Sequence, residues 1–330
     1  MIKPRRVLML AFPDCLLLDV TGPMQMFAGA NEFLRQQAYE LVILGPRCGP
    51  LRTSAGLSIV ADLAIGDYDP TKLRKSDTVI AAGGSPGVAR ALEGRQIAGF
   101  VMLAARRGAR VASVCSGALL LAAAGVLDGR RAATHWNAVD RLRRLRPQVD
   151  VDDEAIYVRD GNVWTSAGAT AGIDLALAMI EADFGRETAL AVARFYVVFR
   201  IRPGGQRQYS TELAAQGVRD HRLARLAQQI AQRPQRDWRI ADLALEAGMS
   251  TRSLSRLFRK ELHVSPAEFV QRVRIDRARH DLLDTNAPIK RVATQCGFGS
   301  LRRMDRAFTR TISATPTEFR ARFQSPGATT

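Results

Sequence analysis

Paired cysteines are missing from this chain of 330 residues. It has four, Cys15, Cys48, Cys115 and Cys296, with no recurrent spacing. That leaves no basis for a disulfide framework or a Cys-based zinc site, and fits a reducing cytoplasm. Long apolar runs are missing as well. None reaches the roughly 18–20 residues that a membrane span needs, and the nearest, residues 173–182, is broken by Asp174 and Glu181. The opening Met1-Ile2-Lys3-Pro4-Arg5-Arg6 leads into a short apolar stretch without a small-residue cleavage site, so no secretory leader is expected. Acidic residues are scarce: 32 Asp+Glu stand against 48 Lys+Arg, a net charge of +16 with a pI of about 10.8. Such a balance calls for a polyanionic partner, either nucleic acid or an acidic membrane surface. The excess is concentrated late. Residues 220–330 hold 21 basic against 11 acidic residues, and nearly all of the basic ones are Arg, which suits phosphate and guanine contacts better than Lys does.

The length predicts two domains, and the texture agrees. In the first 200 residues, short continuous apolar runs at 7–12, 41–44, 78–82, 111–114 and 162–166 alternate with helical patterns near 23–36, 88–107, 117–125 and 172–183. Continuous hydrophobicity is what strands buried on both faces require, so this part reads as a flavodoxin-like α/β sandwich with a parallel sheet. The polar, Pro/Gly-bearing stretch from Arg202 to Gln208 reads as a break between domains. Beyond it only helical periodicity remains, as in Leu223, Leu226, Ala227 and Ile230. The expected division is 1–200, a linker over 201–221, and an all-α domain over 222–330.

The helical part repeats itself. Phe258, Pro266 and Phe269 recur as Phe308, Pro316 and Phe319, a constant offset of 50. Ser265-Pro266-Ala267-Glu268 and Thr315-Pro316-Thr317-Glu318 each predict a capping box that starts a new helix. Ahead of each lies a helix-turn-helix pattern. The first has helices over 240–247 and 251–260 around Gly248-Met249-Ser250. The second has helices over 289–296 and 301–311 around Gly297-Phe298-Gly299-Ser300. In the second helices Leu254, Leu257 and Phe258, and likewise Leu301, Met304 and Phe308, share one face. The opposite faces carry Arg252, Ser255, Arg256 and Arg259, and Arg302, Arg303, Asp305 and Arg306. An apolar face seats such a helix and leaves the basic face free for a major groove.

Residues 222–323 resemble the DNA-binding domain of the AraC/XylS family. The likeness rests on Gly248-Met249-Ser250, Leu254-Ser255-Arg256-Leu257-Phe258, Cys296-Gly297-Phe298-Gly299-Ser300, Arg306-Ala307-Phe308 and Thr315-Pro316-Thr317-Glu318-Phe319. One departure is Ile312-Ser313-Ala314, where the family usually has Phe-Gly-Val. The resemblance implies base contacts by Arg252, Ser255 and Arg256, and by Arg302, Arg303 and Arg306. It sets the reading helices about one turn of DNA apart, ~34 Å.

In the first domain the sharpest feature is Val114-Cys115-Ser116-Gly117, where a buried strand gives way at once to a helix. This is the elbow that exposes a nucleophile on a tight turn, and the helix N-terminus is expected to lower the thiol pKa. Gly83-Gly84-Ser85-Pro86 ends another strand and could offer backbone amides to an anion. Asp19 follows the first strand, either in this site or as a helix N-cap before Pro23, and His135 lies 20 residues beyond Cys115. Ligands of a parallel sheet bind at that edge. Residues 5–200 resemble the ThiJ/PfpI family of the class I glutamine amidotransferase-like superfamily through this elbow, the Thr134-His135 step and Asp19. Ser116 stands where the proteases of the family have His, which removes the nearest base. Asp with Cys is closer to the isonitrile hydratases.

The fusion of the two parts resembles the GlxA group of regulators. It implies a sensor and dimerisation domain that responds to a small nitrogenous metabolite, with Asp19, Gly84, Cys115, Ser116 and His135 lining the effector pocket. The expected protein is a cytoplasmic, homodimeric transcription activator that binds double-stranded DNA and a small-molecule effector, with RNA polymerase as a further partner and no metal, cofactor or membrane. The competing reading is a Cys-dependent isonitrile hydratase or glyoxalase with a DNA-binding tail.

Overall fold

The apolar runs of the first 200 residues form the strands of one sheet. In the computed structural model, which describes residues 3–198, 218–312 and 314–323, the chain divides into two compact units, Met1–Gly204 and Gly205–Thr330. The segment 201–217, where a linker is expected, lies outside the described residues, and so does Ser313 of the departing Ile312-Ser313-Ala314.

The first unit is built on β1 (Arg5–Leu10), β2 (Tyr39–Gly45), β5 (Leu63–Ala64), β6 (Thr78–Ala81), β7 (Arg110–Val114), β10 (Tyr157–Asp160) and β11 (Val163–Ser166), in the order β10-β11-β7-β6-β1-β2-β5. All neighbours are parallel except β10, which runs antiparallel to β11. All four residues of β6 and of β11 are buried, which explains runs with no polar alternation. Apart from the two-residue edge strand β5, the five parallel strands stand in the order 2-1-3-4-5, the flavodoxin-like arrangement. Its direction of travel reverses between β1 and β6, and ligands of such sheets bind outside the carboxyl ends at that reversal. Helix α1 (Leu17–Leu34) packs on α6 (Thr170–Phe195). Helices α2 (Ser85–Gly94), α3 (Gln96–Arg106), α4 (Ala118–Ala123) and α5 (Val139–Leu145) pack among themselves. Crossovers of opposite travel put the two groups on opposite faces.

Several boundaries differ from expectation for local reasons. Helix α1 begins at Leu17, six residues ahead of Pro23, so Asp19 sits in its first turn and caps nothing. The helix expected over 88–107 is two, because Arg95 adopts a left-handed conformation (φ 52°) between α2 and α3. Helix α6 runs on to Phe195 through an interruption at Gly185 (φ 84°). A hairpin of β3 (Gly49–Arg52) and β4 (Ser58–Ala61), and a short pair of β8 (Arg131–Ala132) and β9 (Asp150–Val151), stand outside the main sheet.

The described part of the second unit is helical throughout. Helix α7 (His221–Gln232) is capped by Asp220, whose carboxylate accepts from the amides of Arg222 and Leu223. Helices α8 (Ile240–Glu246) and α9 (Thr251–Leu262) form the first helix-turn-helix. Helices α11 (Ile289–Gln295) and α12 (Leu301–Ile312) form the second. Helix α10 (Pro266–Asp284) joins them, and α13 (Pro316–Phe323) closes the described chain. Gly248 and Gly297 take φ of 62° and 83° in the two turns, where a side chain would be strained. Only the second capping box is complete: Thr315 Oγ1 accepts from the Glu318 amide, and Glu318 accepts from the Thr315 amide at 2.7 Å. In the first, Ser265 accepts from the Glu268 amide, while the Glu268 carboxylate turns to Arg272 at 2.7 Å. The unit has two apolar cores, one around Leu226, Leu254, Phe258 and Phe269 and the other around Leu282, Met304, Phe308 and Phe319. The division falls within α10, since Val273 belongs to the first core and Ile275 to the second. Among the described residues no helix is long and apolar enough to cross a membrane.

Candidate functional site

Three strand ends of the first unit meet at the reversal point of the sheet. Asp19 follows β1, Gly83 and Gly84 follow β6, and Cys115 and Ser116 follow β7. Cys115 begins a single 3-10 turn ahead of α4 and holds φ of 58°. A left-handed backbone at a non-glycine residue costs of order 1–3 kcal/mol and survives only where its surroundings fix it. Here they do. Gly168 lies so close that a Cβ on it would stand 2.8 Å from Cys115 Sγ, and Thr134 Oγ1 donates to the Cys115 carbonyl at 3.0 Å.

The polar groups of the site are bonded to one another. Asp19 is fully buried and accepts from the amide of Gly83 at 3.1 Å and from that of Ala169 at 2.8 Å. The Gly84 amide donates to Ser116 Oγ at 3.0 Å. The amides expected to receive an anion therefore already have acceptors within the chain. Burial pushes the Asp19 carboxyl up to about 6, against the pull of the Ala169 and Gly83 amides and the Cys115 thiol. Burial also pushes the Cys115 thiol up to about 12, and the neighbouring Asp19 carboxylate adds to the rise. The expected lowering by the helix N-terminus is overturned: Cys115 is 8% exposed and its thiol faces an anion, and these outweigh the partial positive charge of a helix end. Asp19, Gly84, Cys115 and Ser116 are thus brought together. His135 is not joined to them by a hydrogen bond among the described residues; its Nδ1 lies 2.7 Å from Asn137 Oδ1. Gly168 and Ala169 belong to this site and were missed. The signal available was a glycine two residues after the fifth strand, at the same sheet edge.

The second unit presents its two basic faces as the periodicity requires. On α9, Leu254 and Phe258 are buried while Arg252, Arg256 and Arg259 are exposed. On α12, Met304, Ala307 and Phe308 are buried while Arg302, Arg303 and Arg306 are exposed. Leu301 departs from its expected place and is 40% exposed, ahead of the first buried turn. Ser250 caps α9 by accepting from the Ser253 amide at 3.1 Å. Ser255 Oγ donates to the Thr251 carbonyl, which leaves its lone pairs for an outside donor. Among the described residues, no ion pair or hydrogen bond engages the guanidinium groups of Arg252, Arg256, Arg302, Arg303 or Arg306. Two apolar-anchored helices thus each present unpaired cations to solvent.

An α/β unit with a cysteine elbow, joined to a paired helix-turn-helix, defines a transcription regulator of two parts. Comparison with known proteins agrees. Residues 5–182 match the DJ-1/PfpI family and residues 243–322 match a helix-turn-helix domain. The HTH-type transcriptional regulator CdhR of Pseudomonas aeruginosa is 31% identical over 322 residues, 97% of this chain and 93% of that protein. The HTH-type transcriptional regulator GlxA of Rhizobium meliloti is 26% identical over 93% of this chain and 92% of that protein. The isonitrile hydratase of Pseudomonas putida is 34% identical, but over 56% of this chain and 74% of that enzyme. The chain belongs to the DJ-1/PfpI family and carries an AraC-type DNA-binding domain, the composition of the GlxA-type transcriptional regulators.

Proposed function

We propose that the chain is a cytoplasmic, homodimeric activator whose first unit senses a small nitrogenous metabolite without consuming it, and which acts on RNA polymerase. Arg252, Ser255 and Arg256 read one major-groove segment, and Arg302, Arg303 and Arg306 the next. The observation that carries this reading is the pair of unpaired Arg faces, each on a helix seated in its own core and started by a serine, Ser250 or Ser300, that accepts from an amide of the first turn. Arg306→Ala is expected to weaken binding to a selected duplex by about 1–3 kcal/mol and to relax preference at one base pair. Gel-shift titrations of base-pair variants at fixed salt check this. A uniform loss on all duplexes would reduce Arg306 to a phosphate contact.

The effector pocket is assigned to the sheet edge at Asp19, Gly84, Cys115 and Ser116, with His135 at its margin next to Thr134. The raised thiol of Cys115 speaks against turnover, because it is held protonated at neutral pH. The nitrogenous class of effector comes from the resemblance to regulators of this composition. Thermal-shift screening of the full chain tests it: a ligand at 100 times its Kd adds about 2.7 kcal/mol. Stabilisation by other metabolite classes alone would discard the nitrogenous assignment. Pairing of the chain suits the repeated or palindromic sites that symmetric regulators occupy. Sedimentation of the full chain at micromolar concentration should give a dimer, and a clean monomer would remove that part of the proposal.

A further inference from the structure

Two apolar cores on one long helix raise the question of what fixes one reading helix relative to the other. The two turn glycines give the first clue. Gly248, in the first helix-turn-helix, has nothing within 4 Å of where a Cβ would stand. Gly297, its counterpart in the second, is pressed upon. A Cβ there would collide with the carbonyl oxygen of Pro234 and lie 2.8 Å from Gln235 Cα and 2.9 Å from Arg274 Nε. Pro234 and Gln235 belong to the loop between α7 and α8, which leads into the first helix-turn-helix and is anchored on its core through Trp238. The turn of the second helix-turn-helix therefore rests directly on the backbone of the loop that leads into the first.

Arg274 ties this contact together from α10. Its Nε donates to the Pro234 carbonyl at 2.9 Å and its Nη2 to the Arg236 carbonyl at 2.8 Å. It stands between Val273 of the first core and Ile275 of the second. The loop it grips is itself anchored. Arg236 stacks on Trp238 at 4.4 Å and pairs with Glu246, and the buried Trp238 donates to the Arg233 carbonyl. On the other side, Phe298 follows Gly297 directly and packs into the second core against Phe308. An unbroken path of packed groups thus runs from the first core through the 234–236 loop and Arg274 to the second turn.

We propose that Arg274 is a positioning residue which, with Gly297, sets the distance and angle between the two reading helices and so fixes the spacing of DNA segments that the protein accepts. This rests on the DNA-binding reading above. Two recognition elements on one rigid body act as a bivalent ligand, and their affinities multiply only when their separation matches that of the sites. A planar guanidinium held by two carbonyls resists both sliding and rotation, which a single-donor ammonium does not.

The test uses the full chain and a duplex obtained with it by selection from random DNA. Derivatives of that duplex carry one base pair inserted or deleted between the two contacted segments, or one segment scrambled. Arg274→Met keeps the aliphatic stem and removes the donors. It is expected to lose about tenfold in affinity for the parent duplex. It should bind the duplex with one segment scrambled as the parent protein does, and discriminate little between spacings. Gly297→Ala, which pushes on the same contact from the opposite side, should do likewise, and Arg274→Lys should fall between. Should Arg274→Met not fold by circular dichroism, Arg274→Lys is judged by the same criteria. Unchanged affinity with an unchanged spacing preference overturns the proposal, as does an equal loss on the scrambled duplex. Failure of the parent chain to select any duplex overturns the DNA-binding reading itself, and the proposal with it.

Discussion

Replacing Phe308 with alanine is expected to lower the melting temperature of the second unit by roughly 15–30 °C while the transition of the first unit stays in place. Phe308 is fully buried and meets Phe298 and Phe319 edge-on, with ring centroids 6.5 and 5.9 Å away. Its helix, α12, buries only Met304 and Ala307 besides, and its leading Leu301 is exposed. Truncating a buried Phe costs about 3–5 kcal/mol, the lost transfer energy plus a cavity. A domain has about 5–15 kcal/mol in total, so the loss takes a large share. Because the second core does not include the residues of the first, Phe258→Ala should produce a matching effect through the other core. Differential scanning calorimetry of the full chain reads both transitions. A shift of a few degrees, or one shared by the first unit, would show that α12 is held by something other than its ring cluster.

The second unit was legible because its information is local and doubled. Each helix-turn-helix announces itself by a glycine at the turn, a Ser/Thr-Pro cap and apolar residues at helical spacing, and a constant offset ties the copies together. The main sheet was legible for a related reason, since strands buried on both faces leave unbroken apolar runs. What stayed hidden lies outside those signals. The β3–β4 hairpin carries Pro50, Arg52 and Ser58 among its apolar residues and pairs only with itself. The clamp at Arg274 depends on a loop 40 residues earlier, and no periodicity marks it. The elbow at Cys115 was located correctly and its electrostatics inverted. Sequence shows a helix start beside a cysteine. It does not show that Asp19 is folded against the thiol, or that the Gly83 and Gly84 amides are already bonded to Asp19 and Ser116.

That inversion sets the expected chemistry of Cys115. With its pKa pushed up to about 12, first by burial and then by Asp19, the thiol carries about 3,000 times less thiolate at neutral pH than an ordinary cysteine of pKa about 8.5. A more basic thiolate is intrinsically more nucleophilic, with a Brønsted slope of about 0.4–0.5, which returns about one and a half powers of ten. The net is a reaction about 10² slower than that of a free thiol, before access is considered, and Cys115 is 8% exposed. Cys48 is exposed and serves as the control within the same chain. Under iodoacetamide at pH 7, followed by mass spectrometry, Cys48 should be alkylated at least about a hundred times faster than Cys115. The sign of the pH dependence follows from the raised value: Cys115 labelling should climb tenfold per unit through pH 10, with no plateau near pH 8–9. An aliphatic isonitrile offered to the purified protein should be turned over far below the ~1–10³ s⁻¹ of typical enzymes. Rapid labelling of Cys115 at pH 7, together with turnover in that range abolished by Cys115→Ala, would make the first unit a working hydratase and end its reading as a sensor.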